Sequence, residues 1–315
     1  MTGVVPWRSR IEDYIAYRHN HGFELAIEAG RLRQFAQFAE QTGYPDRLTI
    51  ALAAAWARTS KRQSPITWAR RIEILRGFAK YWVRFDPTTE VPPRDLFGPA
   101  HRRLIPHIYT DEEISTLMEA TVLLTPRNGL RPATCHTVFG LLASSGLRIS
   151  EAVNLTRTDV DLDVGILTVR EAKFHKRRVV PLHPSVTAAL QTYAQLRNQR
   201  VSLPDNERFF LFDKGKPINR RVMLYALHDI CQHLGWKPRG DYPHHRLQDL
   251  RHTFIVHSTL QFYQQGIEID RAVLALSTYV GHAEIAHTYW YFTGIPELMA
   301  IAAERFRGYA QGESL

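Results

Sequence analysis

The sequence predicts a mainly α protein with a small antiparallel β-sheet, in which an N-terminal helical bundle precedes a larger α+β domain. Three observations carry this. The chain has 315 residues, more than one small core usually occupies, which favours two domains. From Ile11 to Phe85 apolar residues recur at helical spacing, and the two clear β-prone runs, Ile166 to Arg170 and Arg178 to Leu182, lie close together in the second half.

In the first hundred residues Leu32, Phe35, Ala36 and Ala39 mark one helical stripe, and Trp68, Ile72, Leu75, Phe78, Ala79 and Trp82 mark another. Breaks at Gly22, at Gly43 with Pro45, and at Ser64 with Pro65 divide this region into about four helices. The fourth is one-sidedly basic: Lys61, Arg62, Arg70, Arg71, Arg76, Lys80 and Arg84 are accompanied by a single carboxylate, Glu73. Such a helix suits a phosphate backbone, because each neutralised phosphate releases counterions, although a solvated face would read the same way.

Asp86 to Pro106 carries five prolines and the basic triplet His101, Arg102, Arg103, which predicts an extended linker. Thr110 and Glu113 then form a capping box in front of Ile114, Leu117 and Met118, so a second domain begins near Ile108. Expected boundaries are residues 1–95 for the bundle, 96–107 for the linker, 108–295 for the larger domain and 296–315 for a C-terminal helix and tail.

In the second domain PATCHTVFGLLASSGLRISEAVNL reads as an apolar helix, a Ser-Ser-Gly interruption and a second helix that starts near Arg148 and contains Glu151. The hairpin tip between the two β runs is densely basic, with Lys173, His175, Lys176 and Arg177, and suits either a nucleic-acid groove or a solubilising loop. A helix follows from about Pro184 to Asn198, then a short strand over Phe209 to Asp213 and a helix from Asn219 to Leu234. Lys214, Lys216, Arg220 and Arg221 place positive charge near the start of that last helix.

Another helix begins at about Asp249, with Leu250, Phe254 and Ile255 facing a core and Arg251 emerging at its first turn. Four histidines nearby, His244, His245, His252 and His257, lack ligand spacing, so no metal is expected. The chain then reaches a Gly281-His282 turn with two tyrosines close behind, Tyr289 and Tyr291.

Composition narrows the partner. Forty Lys plus Arg against 31 Asp plus Glu give a formal charge of +9, which points to a polyanion such as nucleic acid or an acidic membrane. Cys135 and Cys231 both sit in apolar surroundings and read as buried thiols in a reducing cytoplasm. There is no signal-peptide core and no apolar run near the roughly 18 residues of a membrane span.

Taken in order, GLRISEA, the hairpin AKFHKRRVVPL, QDLRHTF and GHAEIAHTYWY resemble the catalytic domain of the tyrosine recombinase (phage integrase) superfamily. That family's pattern is an Arg in a Gly-Leu-Arg-hydrophobic-Ser-Glu segment, a hairpin Lys, His-x-x-Arg before His-Thr, and a Gly-His with Tyr nine residues after the His. The resemblance implies that Arg148, Lys173, Arg251, His282 and Tyr291 are catalytic, together with Gln248 as a hydrogen-bonding group at the phosphate or the phenol and Glu151 in support. It further implies that the N-terminal bundle is a SAM-like core-binding domain, and the one-sided charge makes Arg62, Arg70, Arg71, Lys80, Lys176, Arg177, Lys214 and Arg220 candidate DNA contacts.

The implied reaction is attack of the Tyr291 oxygen on a phosphodiester of duplex DNA, giving a 3′-phosphotyrosine and a free 5′-hydroxyl that attacks a partner's phosphotyrosine. Each broken bond is replaced by one of similar energy, so no cofactor is expected. Arg148 and Arg251 would hold the nonbridging oxygens, Lys173 (or Lys176) would protonate the leaving oxygen, and His282 would orient the phosphate or the nucleophile. Tyr289 and Tyr291 point about 200° apart on a helix, and the family spacing selects Tyr291.

One residue departs from the pattern. Gln248 stands where the family most often has His, and a Gln cannot exchange a proton near neutral pH. That departure keeps open a catalytically weakened DNA-binding accessory protein, and the shared kind of active site keeps open an activity like that of type IB topoisomerases. The implied partners are duplex DNA with specific recombination sites, a homo-oligomer with a tetrameric synapse, and an accessory protein or partner recombinase. Bacterial cytoplasm is the expected location, and the tail PELMAIAAERFRGYA the expected subunit-exchange helix, packing on its own domain being the alternative. The segments PHIYTDEEI and GHAEIAHTYWYFTGIPEL look most like recombinases of transposons and other mobile elements.

Overall fold

In the computed structural model the described residues are 5–43, 47–170, 177–201, 207–282, 284–286, 288–290 and 303. The chain divides into two compact units, Met1–Arg103 and Leu104–Leu315.

The first unit contains α1 (Trp7–Asn20), α2 (Glu28–Gln41), α3 (Ile50–Arg58) and α4 (Pro65–Trp82). Pro65 opens α4 at the first helical position, where a missing N–H costs nothing. Thr49 caps α3 by accepting from the Leu52 amide at 3.1 Å. The apolar stripes meet in one core of Trp7, Ile11, Leu32, Phe35, Leu52, Trp56, Ile72, Leu75 and Phe78. Part of the proline-rich stretch lies on this core: Val91, Leu96 and Phe97 pack against it, and the Glu90 amide donates to the Leu48 carbonyl.

In the second unit Thr110 and Glu113 form the capping box that starts α5 (Asp111–Glu119). Next comes α6 (Arg131–Ser145), which packs against the later α8 (Pro184–Arg200) and α10 (Leu247–Gln264). Burial on several sides, from Thr134 and Cys135 to Leu141 and Leu142, explains why its sequence is apolar almost throughout. After α7 (Ile149–Asn154) come β1 (Val160–Asp161), β2 (Ile166–Arg170) and β3 (Arg177–Pro181), an antiparallel sheet in the order β1-β2-β3 with Val169 opposite Arg178. Among the described residues the unit also contains α9 (Arg220–His233) and α11 (Ile269–Val280).

Two expectations shift. Phe209 to Asp213 is not a strand; within it Leu211 forms an isolated bridge with Pro217, and Arg208 just before it forms one with Thr156. Side-chain hydroxyls take over work a ladder would do there: the Leu211 amide donates to Tyr193 Oη at 2.9 Å, and Thr134 Oγ1 donates to the Leu211 carbonyl at 2.7 Å. The helix carrying Arg251 begins at Leu247, because the Asp249 carboxylate accepts from the Arg246 amide at 2.8 Å and so caps the first turn.

Cys135 and Cys231 are buried free thiols, and burial pushes both up to about 12. Among the described residues no helix is long and apolar enough to cross a membrane, and no group of three His, Cys, Asp or Glu is placed to hold a metal ion.

Candidate active site

The site is built around the end of α11. Gly281 adopts a left-handed conformation with φ +69°. Its amide bonds the Thr278 carbonyl at 3.1 Å, and the His282 amide bonds the Ser277 carbonyl at 3.0 Å. This Schellman arrangement satisfies two of the carbonyls that a helix C-terminus leaves without intrahelical donors. The next three carbonyls in sequence each receive a different arginine. Arg178 Nε donates to Tyr279 at 3.1 Å, Arg251 Nη2 to Val280 at 2.7 Å and Arg148 Nη2 to Gly281 at 2.7 Å. Three guanidiniums also suit the negative end of the helix dipole.

Each arginine comes from a separate element. Arg148 is the N-cap residue of α7, and the Glu151 carboxylate accepts from its amide at 2.8 Å and from its Nη1 at 2.8 Å. Arg251 lies on α10 and is fully buried, at 1% exposure, with Nη1 donating to the Gly146 carbonyl at 2.6 Å. Arg178 comes from β3 and grips Glu151 with both terminal nitrogens, Nη1 to Oε1 at 3.0 Å and Nη2 to Oε2 at 2.8 Å. One carboxylate thus joins two guanidiniums. Burial pushes the Glu151 carboxyl up, but the Arg178 hydrogen bonds and charge, followed by Arg148, outweigh it and hold the group below the usual carboxylate range.

The His282 ring is fixed through a hydrogen bond between Nδ1 and Thr288 Oγ1 at 2.7 Å. His252 follows Arg251 in sequence; burial, then the charges of Arg246, Arg251 and His282, hold its imidazole down to about 3, so it is neutral at physiological pH. Gln248 is half-buried in the first turn of α10. Tyr289 Oη donates to Asp270 Oδ1 at 2.8 Å, which engages the competing phenol elsewhere.

The structure therefore brings Arg148, Glu151, Arg251 and His282 to one place. Lys173, Lys176 and Tyr291 lie outside the described residues, as does almost all of the expected C-terminal helix. Arg177, Lys214 and Arg220 are exposed in the second unit, and no hydrogen bond or ion pair among the described residues ties them to the arginine cluster. In the first unit Arg62, Arg70 and Lys80 are exposed, with Arg70 Nε donating to the Ala100 carbonyl at 3.0 Å. Arg71 is instead buried, its guanidinium 4.1 Å from the Trp56 ring centre and 3.1 Å from Thr59 Oγ1. Desolvation, then the Arg31 charge, lowers it to about 10.

Arg178 is the residue that sequence reasoning missed. The signal was present in the strand alternation: Arg177 and Val179 are exposed while Arg178 and Val180 turn inward, so the inward position carries a charge that requires a buried partner.

Comparison with known proteins gives a consistent pattern. The sequence profile described as the phage integrase family matches residues 108–294. An integrase/recombinase of Sinorhizobium fredii, y4rB, is 36% identical over 95% of this chain and 96% of its own length. Tyrosine recombinase XerC of Staphylococcus carnosus is 29% identical over 73% of this chain and 71% of its own. Among solved structures, XerH site-specific recombinase bound to palindromic difH substrate is similar with a TM-score of 0.66, at 16% identity, over 89% of this chain and 79% of its own. The Tn1549 transposon integrase in complex with transposon right end DNA gives a TM-score of 0.65, at 18% identity, over 95% of this chain and 99% of its own.

Proposed function

The chain belongs to the phage integrase family of tyrosine recombinases, and we propose from that premise that Tyr291 attacks duplex DNA at a phosphate held by Arg148 and Arg251. It is a site-specific recombinase, an enzyme that breaks and rejoins DNA, and the family's reaction runs through a 3′-phosphotyrosine. The observation that carries the residue assignment is the anchoring of both arginines on adjacent carbonyls, Val280 and Gly281, at the turn that leads into His282.

Each partner has a defined task in this reading. Arg148 and Arg251 bind the nonbridging oxygens, on which charge grows as the phenolate approaches. Their backbone anchors hold the forks in place, so little reorganisation accompanies that step. Glu151 keeps Arg148 aligned, and His282, its ring set by Thr288, orients the phosphate or the phenol. Lys173 is assigned to protonate the departing 5′ oxygen, with Lys176 as the alternative donor. Gln248 offers a hydrogen bond but no proton exchange.

The N-terminal unit is read as a core-binding domain, with Arg62, Arg70 and Lys80 toward the DNA backbone and Arg71 beneath them. In the second unit Arg177, Lys214 and Arg220 take the corresponding contacts. A homo-oligomer on DNA, a tetrameric synapse and a bacterial cytoplasmic location complete the reading, with an accessory protein or partner recombinase joining the synapse. A role in integration, excision or transposition of a mobile element is supported by the name of y4rB and the likeness to the Tn1549 integrase.

The test is a nicked substrate from which the 5′ fragment diffuses away after cleavage. Wild-type protein and Tyr289→Phe should accumulate a covalent DNA adduct that Tyr291→Phe does not form. An adduct persisting in Tyr291→Phe would overturn the assignment of the nucleophile.

A further inference from the structure

We propose that Arg178 is a positioning residue for DNA cleavage, acting through Glu151 on Arg148 and through the Tyr279 carbonyl on the turn that carries His282. This rests on the recombinase reading of the same site.

Every guanidinium nitrogen of Arg178 is engaged within the cluster. Its three nitrogens make a two-point grip on Glu151, at 3.0 and 2.8 Å, and a third bond to the Tyr279 carbonyl at 3.1 Å. Its side chain is 14% exposed, whereas that of Arg148 is 35% exposed. The inner cation therefore braces the outer one. The hydrogen bonds and charge of Arg178 do most to keep Glu151 ionised against its burial, and an ionised Glu151 is what orients Arg148.

The same side chain joins parts distant in sequence. Arg178 stands second in β3, Glu151 in the first turn of α7, and Tyr279 near the end of α11. A Cβ added at Gly281 would lie only 2.7 Å from Arg178 Nη1 and 2.9 Å from Cζ, so the fork is seated directly against the Gly281-His282 turn. A side chain seated there fixes how the strand leaving the basic hairpin sits against α7 and α11. Misplacing a phosphate-binding group by about 1 Å can slow a reaction on the order of 100-fold while leaving much of the binding intact.

The experiment compares Arg178→Gln, Arg178→Lys, Glu151→Gln and the Arg178→Gln/Glu151→Gln double variant in the full chain. Affinity for an intact duplex site is read by gel shift, and single-turnover cleavage by adduct formation on the nicked substrate. Arg178→Gln is expected to cleave roughly 100-fold more slowly with DNA affinity within about threefold of wild type. Arg178→Lys should recover less than about a tenth of the lost rate, because an ammonium cannot make the two-point grip. In the Glu151→Gln background Arg178→Gln should cost less than about threefold, since both act through one contact.

A loss of affinity matching the loss of rate would make Arg178 a DNA contact and overturn the inference, as would additive effects of the two substitutions. If Arg178→Gln does not fold, Arg178→Lys decides: cleavage near the wild-type rate overturns the role, and slow cleavage with intact affinity supports it. Wild-type protein in the same assay separates the two claims. Absence of a wild-type adduct counts against the nucleophile assignment and takes this inference with it, whereas a normal wild-type adduct beside fast variants overturns the Arg178 role alone.

Discussion

Gly281→Ala tests whether the arginine clamp depends on the left-handed turn beneath it. Alanine at φ +69° carries a backbone penalty of roughly 1–2 kcal/mol, partly offset by roughly 0.4–1 kcal/mol from the less flexible unfolded chain. The new methyl would also stand 2.7 Å from Arg178 Nη1, well inside the roughly 3.5 Å at which nonbonded atoms rest. Arg178 must then retreat and give up at least one hydrogen bond to Glu151, a loss of about 1.5–3 kcal/mol for a charged pair. The net destabilisation is about 2–4 kcal/mol, or roughly 5–15 °C in melting temperature for a unit of this size.

Gly266 supplies the control, because it has the same φ, +69°, and nothing within 4 Å of an added Cβ. Gly266→Ala bears only the backbone part, about 1 kcal/mol, and should melt a few degrees below wild type. Thermal melts by circular dichroism read the difference, and cleavage by Gly281→Ala should fall at least about tenfold as Arg148 loses its seat. If the two variants melt within about 2 °C of each other, the clamp does not depend on this turn.

Three further outcomes are expected. Burial holds the buried His107 down to about 4, His252 lies at about 3 and His245 is also lowered, so the folded chain binds fewer protons than the unfolded chain below the unfolded value of about 6.5. Stability should be fully present above pH 6.5 and fall as pH drops toward 4, by up to about 1.4 kcal/mol per pH unit per histidine; a melting temperature flat from pH 7 to pH 4.5 would contradict this. With Gln248 in place, single-turnover cleavage should vary little between pH 6 and 8, and Gln248→His should introduce a titration in that range; an equally steep profile in both proteins would show that another group titrates. Arg62→Ala should weaken binding to all DNA sequences alike and lower the slope of log affinity against log salt by about 1, whereas Arg71→Ala should chiefly lower the melting temperature, because Arg71 is buried against Trp56; equal salt slopes for wild type and Arg62→Ala would remove Arg62 from the phosphate contacts.

Much of the site is legible in the sequence, because its motifs are local. Arg148, Arg251 and His282 each sit in a short segment whose neighbours report the backbone they need: a glycine before the first, a helix start before the second and a Gly-His turn for the third. Helix limits were equally readable where caps are written in the chain, as at Thr110 and Pro65. The Phe209–Asp213 expectation failed because an apolar run reports burial without reporting which partner satisfies its amides, and here side-chain hydroxyls do part of that work.

By itself the sequence determined the fold class, the family pattern and the residues assigned to the phosphate, since periodicity, caps and motif spacing are properties of neighbouring residues. Tertiary structure alone decided that Arg178 joins them. Glu151 is 27 residues from Arg178, and Tyr279 is 101 away, so no local pattern can state that one fork spans both. The same holds for Arg71, whose helix periodicity marked a basic face while packing against Trp56 withdrew it from solvent. Charge is written in the chain, but its direction is set by what the fold places opposite it.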